Sequence, residues 1–453
     1  MNRFAAAAFA LVVPLVARAQ QDVARAAAPR HPVPAALDTS TTAFEHVSVV
    51  PMDRDTVLRD YTVVVRGGRI AQVGQASKVR VPIGAHRIDG RGLYLAPSLA
   101  DLHVHLRYLM GARDNEPMLR LFLANGVTTV LNLLGLPEHL VLRDSISRGV
   151  TLGPDLWTSG FFVSPPFVRT PGQGDSAVRA QRAAGYDFVK IHADFGDSAY
   201  RRVMRTAREV GIPVVGHAQR RLGIDATLAE GQPLAHLEEY LYAYFYFKRH
   251  TPIPSDSVQE LVNDASRRTK RAGVPVMPTL AVFCGIASQV TNLDSVLARP
   301  EVGRVPARIV DDWRPGKNPY TRERFPNPQV LEDECKLLGM LAKQMAEDGV
   351  LLVSGTDTPI ASVIPGYSMY EELRLLVEAG LTPYEAFRTA TVNAATFLGV
   401  PGEFGRVAVG ARADLLLLTD DPRVDLSVLR RLRGVMVRGR WFDPSGLVAL
   451  VLP

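Results

Sequence analysis

Apolar positions along this chain change their period twice. Residues 44–81 are strand-like, and two such runs, 61–66 and 69–73, are separated only by Gly67-Gly68, which predicts a tight hairpin. Near the other end an apolar run at 414–418 is followed by 435–437, Arg438-Gly439 and 440–442, a second hairpin pattern. The simplest account pairs both ends in one small β-sandwich domain built from 41–94 and 400–446. Between them, short apolar runs at 128–133, 188–191, 214–215, 274–277 and 350–353 alternate with helical spacing at 198–210, 257–272, 331–347 and 370–379. This is the α/β pattern of βα units on a parallel sheet. The span 95–399 suits the ~250 residues of a (β/α)8 TIM barrel with one long insertion. That insertion, 283–328, has little apolar periodicity and is expected to be irregular, and functional or mobile rather than structural.

The first residues follow another rule. Arg3, an apolar stretch and then Ala17-Arg18-Ala19 give the basic, hydrophobic and small-x-small order of a secretory signal over 1–19, so a periplasmic or secreted protein is expected. The arginines bracket too short a stretch for a membrane span, and no integral membrane segment is expected after cleavage. The Ala/Pro-rich residues 20–40 are expected to form a flexible spacer. With 453 residues, 47% of them hydrophobic and 22% charged, the chain can bury a large core, which excludes disorder. A net charge of +6 with no dense basic run argues against nucleic acid as a partner. The two cysteines, Cys284 and Cys335, are too few for a disulfide framework and lack CxxC spacing; they are expected to stay unpaired.

In a barrel of this kind the polar residues that close apolar runs carry the chemistry. His103 and His105 end the first barrel run on one side of a strand, so one metal ion could take both, although a His-x-His pair also arises by chance. Lys190 sits inside an apolar strand, where an ammonium must be paired, deprotonated, modified or snorkelled to the rim. Modification by CO2 would give a carbamate, an anionic ligand able to bridge two ions. His217 and His236 each close an apolar run, and Asp357 closes the last. Singly each has a structural reading. In order, at the ends of strands one, four, five, six and eight, they make a donor set suited to zinc or a similar divalent ion.

This set, with the stretches 96–105, 126–130, 188–191, 354–358, the helix pair over 370–398 and 410–415, resembles the amidohydrolase superfamily, and most of all its imidazolonepropionase-like and Xaa-Pro dipeptidase-like branch. The resemblance implies two divalent metal ions, Zn2+ in the first instance. His103, His105 and Asp357 would hold one ion, His217 and His236 the other, and carbamylated Lys190 would bridge them. It further implies a hydroxide between the ions, and a catalytic pair of Asp357, which accepts and passes on the water's proton, and His236. The deaminase branch uses one metal and no bridging lysine, so Lys190 argues against it. Two departures concern the substrate: Ala218-Gln219-Arg220 follows His217, and Leu237-Glu238-Glu239 follows His236.

The aromatic stretch 239–250 is expected either to pack a helix or to wall the site, with Tyr242 and Tyr244 as substrate contacts and Arg220 and Arg249 as a carboxylate clamp. His192 is expected to pack rather than ligate. The function expected is an exported binuclear amidohydrolase cleaving an amide bond of a small peptide-like or N-acyl amino-acid substrate. The alternatives are a lactone, carbamate or organophosphate hydrolase, a cyclic-amide hydrolase or deaminase, and a binding module with an inactive site. A homo-oligomer is compatible with this sequence, which does not specify one.

Overall fold

The computed structural model describes residues 31–106, 115–245 and 257–451. The 1–19 signal, the first part of the spacer and Arg249 lie outside them. The chain opens with β1 (Thr41–Val49), β2 (Leu58–Arg66) and β3 (Arg69–Gln75), an antiparallel meander. The β2–β3 turn is the expected one: Gly67 and Gly68 have φ of 59° and 74°, values that the turn matching the strand twist requires and that side chains resist. On its other edge β1 pairs in parallel with β4 (His86–Asp89) along residues 42–45, then with β5 (Tyr94–Pro97) along 48–49. The exchange of partners falls at a bulge where His46 takes a φ of 56°.

The barrel follows. β6 (Leu99–Val104), β7 (Val127–Asn132) and β8 (Asp155–Thr158) pair in parallel, and Ser159 bridges to Phe188 beside β9 (Val189–Ile191), which pairs with β10 (Val214–Gly216). Parallel bridges Gly216 to Leu234, Leu234 to Val276 and Val276 to Leu352 continue the ring. Val104 to Thr358, with Leu102 N donating to Ser354 O at 3.0 Å, closes it on β6. Every strand sends a side chain to the interior: Leu102, Leu131, Trp157, Phe188, Val215, Ala235, Met277 and Val353 form one buried cluster, a packed core rather than a pore.

β11 (Leu415–Leu418) then pairs antiparallel with β5, and β12 (Gly434–Val437) and β13 (Arg440–Phe442) extend from it. The two chain ends do share a β structure. Its hydrogen bonding is that of one eight-stranded mixed sheet, forked at β1, with Phe44, Val63, Val65, Leu95, Leu415 and Met436 in its core.

Three expectations are corrected. The 283–328 insertion is largely helical: Leu280–Leu297 is a helix bent at Asn292, followed by short helices at Pro300–Arg304 and Ala307–Asp312. Leu280, Phe283, Ala287, Val290 and Val296 are all buried, so the segment is apolar on several sides and shows no amphipathic period. Among the described residues it is the one helix long and apolar enough to cross a membrane, and it packs here against the helix Pro328–Glu347. Cys284 and Cys335 sit on those two helices and form a disulfide, with Cα atoms 5.3 Å apart; a separation of 51 residues hid their proximity in the sequence. Lastly, residues 31–40 are docked rather than free: the His31 ring stacks on Trp157, and Ala35 N donates to Ser147 O at 2.7 Å.

Candidate metal centre

The register of β6 against β7 shifts between Asp101 and Val104. Before the shift Ala100 and Leu102 face the barrel interior; after it Val104 packs outward, while His103 turns to the mouth against the His236 ring, 4.5 Å away between centroids. A bulge beside a site re-aims side chains in this way. Asp101, fully buried, fixes the opposite wall: its carboxylate accepts from Thr356 N at 2.9 Å and Thr356 Oγ1 at 2.7 Å, and from His103 N at 3.3 Å. Gly355 permits this approach, since a Cβ there would lie 2.6 Å from that of His103. Asp357, at a φ of 60°, is held by its N–H donating to His103 O at 2.7 Å.

These contacts bring His103 Nε2 and His105 Nε2 to 3.2 and 2.7 Å from Asp357 Oδ1. One donor atom from each of the three residues lies within 4.8 Å of the others, a spacing that fits one cation. Lys190 is fully buried, with Nζ 3.2 Å from His103 Nε2. Three histidines of the cluster commit Nδ1: His103 to Ala235 O at 3.2 Å, His236 to Thr279 Oγ1 at 2.8 Å, and His217 to Glu239 Oε1 at 3.3 Å. That leaves Nε2 of each for a ligand, the usual arrangement around bound metals. The His217 and His236 rings lie 5.0 Å apart between centroids.

The electrostatics agree with a ligand set. Burial, reinforced by Lys190, holds His103 and His217 well below the usual imidazole range, and burial takes His236 down to about 3, so all three are neutral donors. Burial also brings the Lys190 amine down to about 8, which makes its neutral, CO2-reactive form accessible near neutral pH. Burial raises Asp357, but His103 and His105 beside it prevail and hold it ionised, below the usual carboxylate range.

Around this centre the residues nominated for substrate contacts have other partners. Arg220 gives both arms of its fork to Glu239, at 2.6 and 3.0 Å, with its guanidinium 4.1 Å above the Tyr242 ring. It is therefore neutralised and not a free carboxylate clamp. Tyr244 is buried and donates its hydroxyl to Asp264, so it packs the helix Val258–Ala272 rather than facing a substrate. Tyr242 remains partly exposed. His192 stacks on Phe162, 4.2 Å between centroids, which agrees with packing.

Asp101, Thr279, Glu239 and Tyr320 also shape the site, and the sequence pattern assigns none of them a role. Asp101 carried a signal, being a carboxylate two residues before His103 in an apolar strand. Tyr320 carried none: it arrives from the insertion, and its phenol is pushed up to about 12 by burial and by Asp357. Glu238 is raised to about 8 by burial and by the adjacent Glu239.

Residues 94–442 match the amidohydrolase family model. The imidazolonepropionase of Rubrobacter xylanophilus is 39% identical over 388 residues, 79% of this chain and 84% of the relative. The adenine deaminase of Moorella thermoacetica is 25% identical over 405 residues, 87% of this chain, which spans only 56% of that relative's length. Among solved structures, a Bifidobacterium longum protein described as a candidate prolidase is 28% identical, with a TM-score of 0.66 and coverage of 91% and 98% of the two chains. From its strand-end donors, its closed parallel ring and these matches, the chain belongs to the amidohydrolase family.

Proposed function

We propose that this chain is an exported, binuclear metal-dependent amidohydrolase that cleaves an amide bond in a small peptide-like or N-acyl amino-acid substrate. The observation that carries the reading is the convergence of His103, His105 and Asp357 beside a buried Lys190 at the mouth of a closed barrel. His103, His105 and Asp357 would hold one ion, His217 and His236 a second, with carbamylated Lys190 between. Such ions supply an acidified water and a polarised carbonyl.

The remaining work falls to the chain itself. Asp357, kept ionised by its histidines, accepts the proton of the attacking water and delivers it to the leaving nitrogen. Thr279 and Glu239 orient His236 and His217 through Nδ1. Asp101 sets the backbone from which Asp357 projects. Support for the peptide-like substrate class comes from the likeness to the candidate prolidase, and support for export from the 1–19 pattern and the Cys284–Cys335 disulfide, since disulfides persist in oxidising compartments.

The test is metal content per chain of purified protein and of Lys190→Ala, with a panel of dipeptides, N-acyl amino acids, esters and lactones. Two ions per chain that fall in the variant, with amide cleavage, is the expected result. One ion, unchanged in the variant, would overturn the bridged site.

A further inference from the structure

We propose that Glu372 is a positioning residue of the metal centre: it caps the helix Leu280–Leu297 in place of Thr279, and so frees the Thr279 hydroxyl to hold His236. This rests on the binuclear reading above, in which His236 is a ligand.

Thr279 lies three residues past Val276, on the seventh strand of the ring, and turns the chain into that helix. It takes φ 49° and ψ 40°, a left-handed conformation that a β-branched residue avoids and that persists only where the surrounding contacts fix it. Thr279 occupies the N-cap position, where a threonine hydroxyl ordinarily accepts from the N–H of the second or third helical residue. Here it makes no such bond. Its oxygen lies 2.8 Å from His236 Nδ1 instead, and Leu237 N, donating to Pro278 O at 3.3 Å, keeps the two strand ends side by side.

The start of the helix still needs an acceptor. Thr279, Leu280 and Ala281 are all buried, so water does not satisfy its first N–H groups. Glu372, fully buried on the helix Tyr367–Glu378 and 91 residues away in the chain, supplies one: its Oε2 accepts from Ala281 N, at the second helical position, at 2.7 Å. Burial pushes its carboxyl up to about 8 against the pull of the N–H groups of residues 279–281, so near neutral pH it serves mainly as a neutral acceptor. One cap is thereby divided between two side chains. Without Glu372, the N-cap hydroxyl is the group placed to take the Ala281 N–H, and taking it withdraws that hydroxyl from His236.

The experiment measures Zn2+ binding to the full chain by calorimetry, and the ring-nitrogen shifts of His236 in the same chain without metal. Glu372→Leu removes the acceptor and keeps the bulk; it should weaken binding of the ion at His236 roughly 10–100-fold and turn a single His236 tautomer into a mixture. Glu372→Gln, which keeps a neutral acceptor, should match the unaltered protein in both. Thr279→Val should reproduce the His236 changes, and Glu372→Leu added to it should change neither further. Unchanged zinc binding and His236 shifts in Glu372→Leu, with only a lower melting temperature, would overturn the proposal, as would effects of the two substitutions that simply add. If the leucine variant does not fold, Glu372→Asp, whose acceptor falls one methylene short, should shift both readouts in the same direction, and no shift would overturn the proposal equally. If the unaltered chain takes up fewer than two ions, the binuclear reading fails, and the nitrogen shifts of His236 still decide the role of Glu372.

Discussion

His31 and Trp157 stack with ring centroids 3.6 Å apart and planes 7° from parallel, while the two nitrogens of the same imidazole reach Asp187 at 3.0 Å and Asp155 at 3.1 Å. Burial opposes protonation of His31, but the two carboxylates prevail and raise it to about 9. A raised folded pKa means the folded state holds the proton more tightly, so this stabilisation is complete below pH 6.5 and is lost as pH rises toward 9. The unaltered protein should lose on the order of 2–3 kcal/mol across that window, and His31→Gln should flatten the loss. Urea melts at pH 6, 7.5 and 9 check it; parallel pH profiles for the two proteins would refute the linkage.

The disulfide between Cys284 and Cys335 closes a long loop of the chain, and such links stabilise by about 2–4 kcal/mol, chiefly through the unfolded state. Thermal melts with and without reductant should differ accordingly, and Cys335→Ser should match the reduced protein. Thiol titration of the unfolded, unreduced chain should find no free thiol.

Asp101→Ala removes the acceptor of both Thr356 donors in a buried setting. The expected cost is roughly 1–3 kcal/mol of stability. Because Asp357 projects from the next residue, metal affinity should fall roughly 10–100-fold as well. Metal titration of the variant, beside its melting curve, reads both; unchanged affinity would make Asp101 a structural residue alone.

Arg220→Gln tests the correction at the rim. If its fork serves Glu239, the variant loses about 1–3 kcal/mol by leaving a fully buried carboxylate without its cation. The kcat/KM ratio between carboxylate-bearing substrates and their amides should then stay unchanged. A selective loss of the carboxylate-bearing members would restore Arg220 to the clamp first expected of it.

Lys190, His103 and Asp357 were legible because a barrel strand is an apolar run, and a polar residue within or closing such a run stands out. The helices at Asp197–Val210, Val258–Ala272 and Pro328–Glu347 were legible because each buries only one face. Leu280–Leu297 was not, since burial on several sides erases the period by which a helix is recognised. The partners of Arg220 and Tyr244 were hidden for a different reason. Glu239 and Asp264 stand 19 and 20 residues away, on elements that only the closed ring brings together. The bulge in β6 that turns His103 to the mouth leaves no composition signal either.

The forked sheet bears on the order of synthesis. Leu95 pairs with Leu417, so the outer edge of β5, whose other edge holds β1, stays unpaired until β11 is beside it. As the ribosome releases the chain from its N-terminus, β1 to β5 emerge with one edge unpaired and keep it so until the whole barrel has been translated. Unpaired edges of this kind attract other chains. A nascent chain halted before β11 therefore exposes a templating strand that the finished protein never shows, and binding of a holding chaperone should be strongest in that interval.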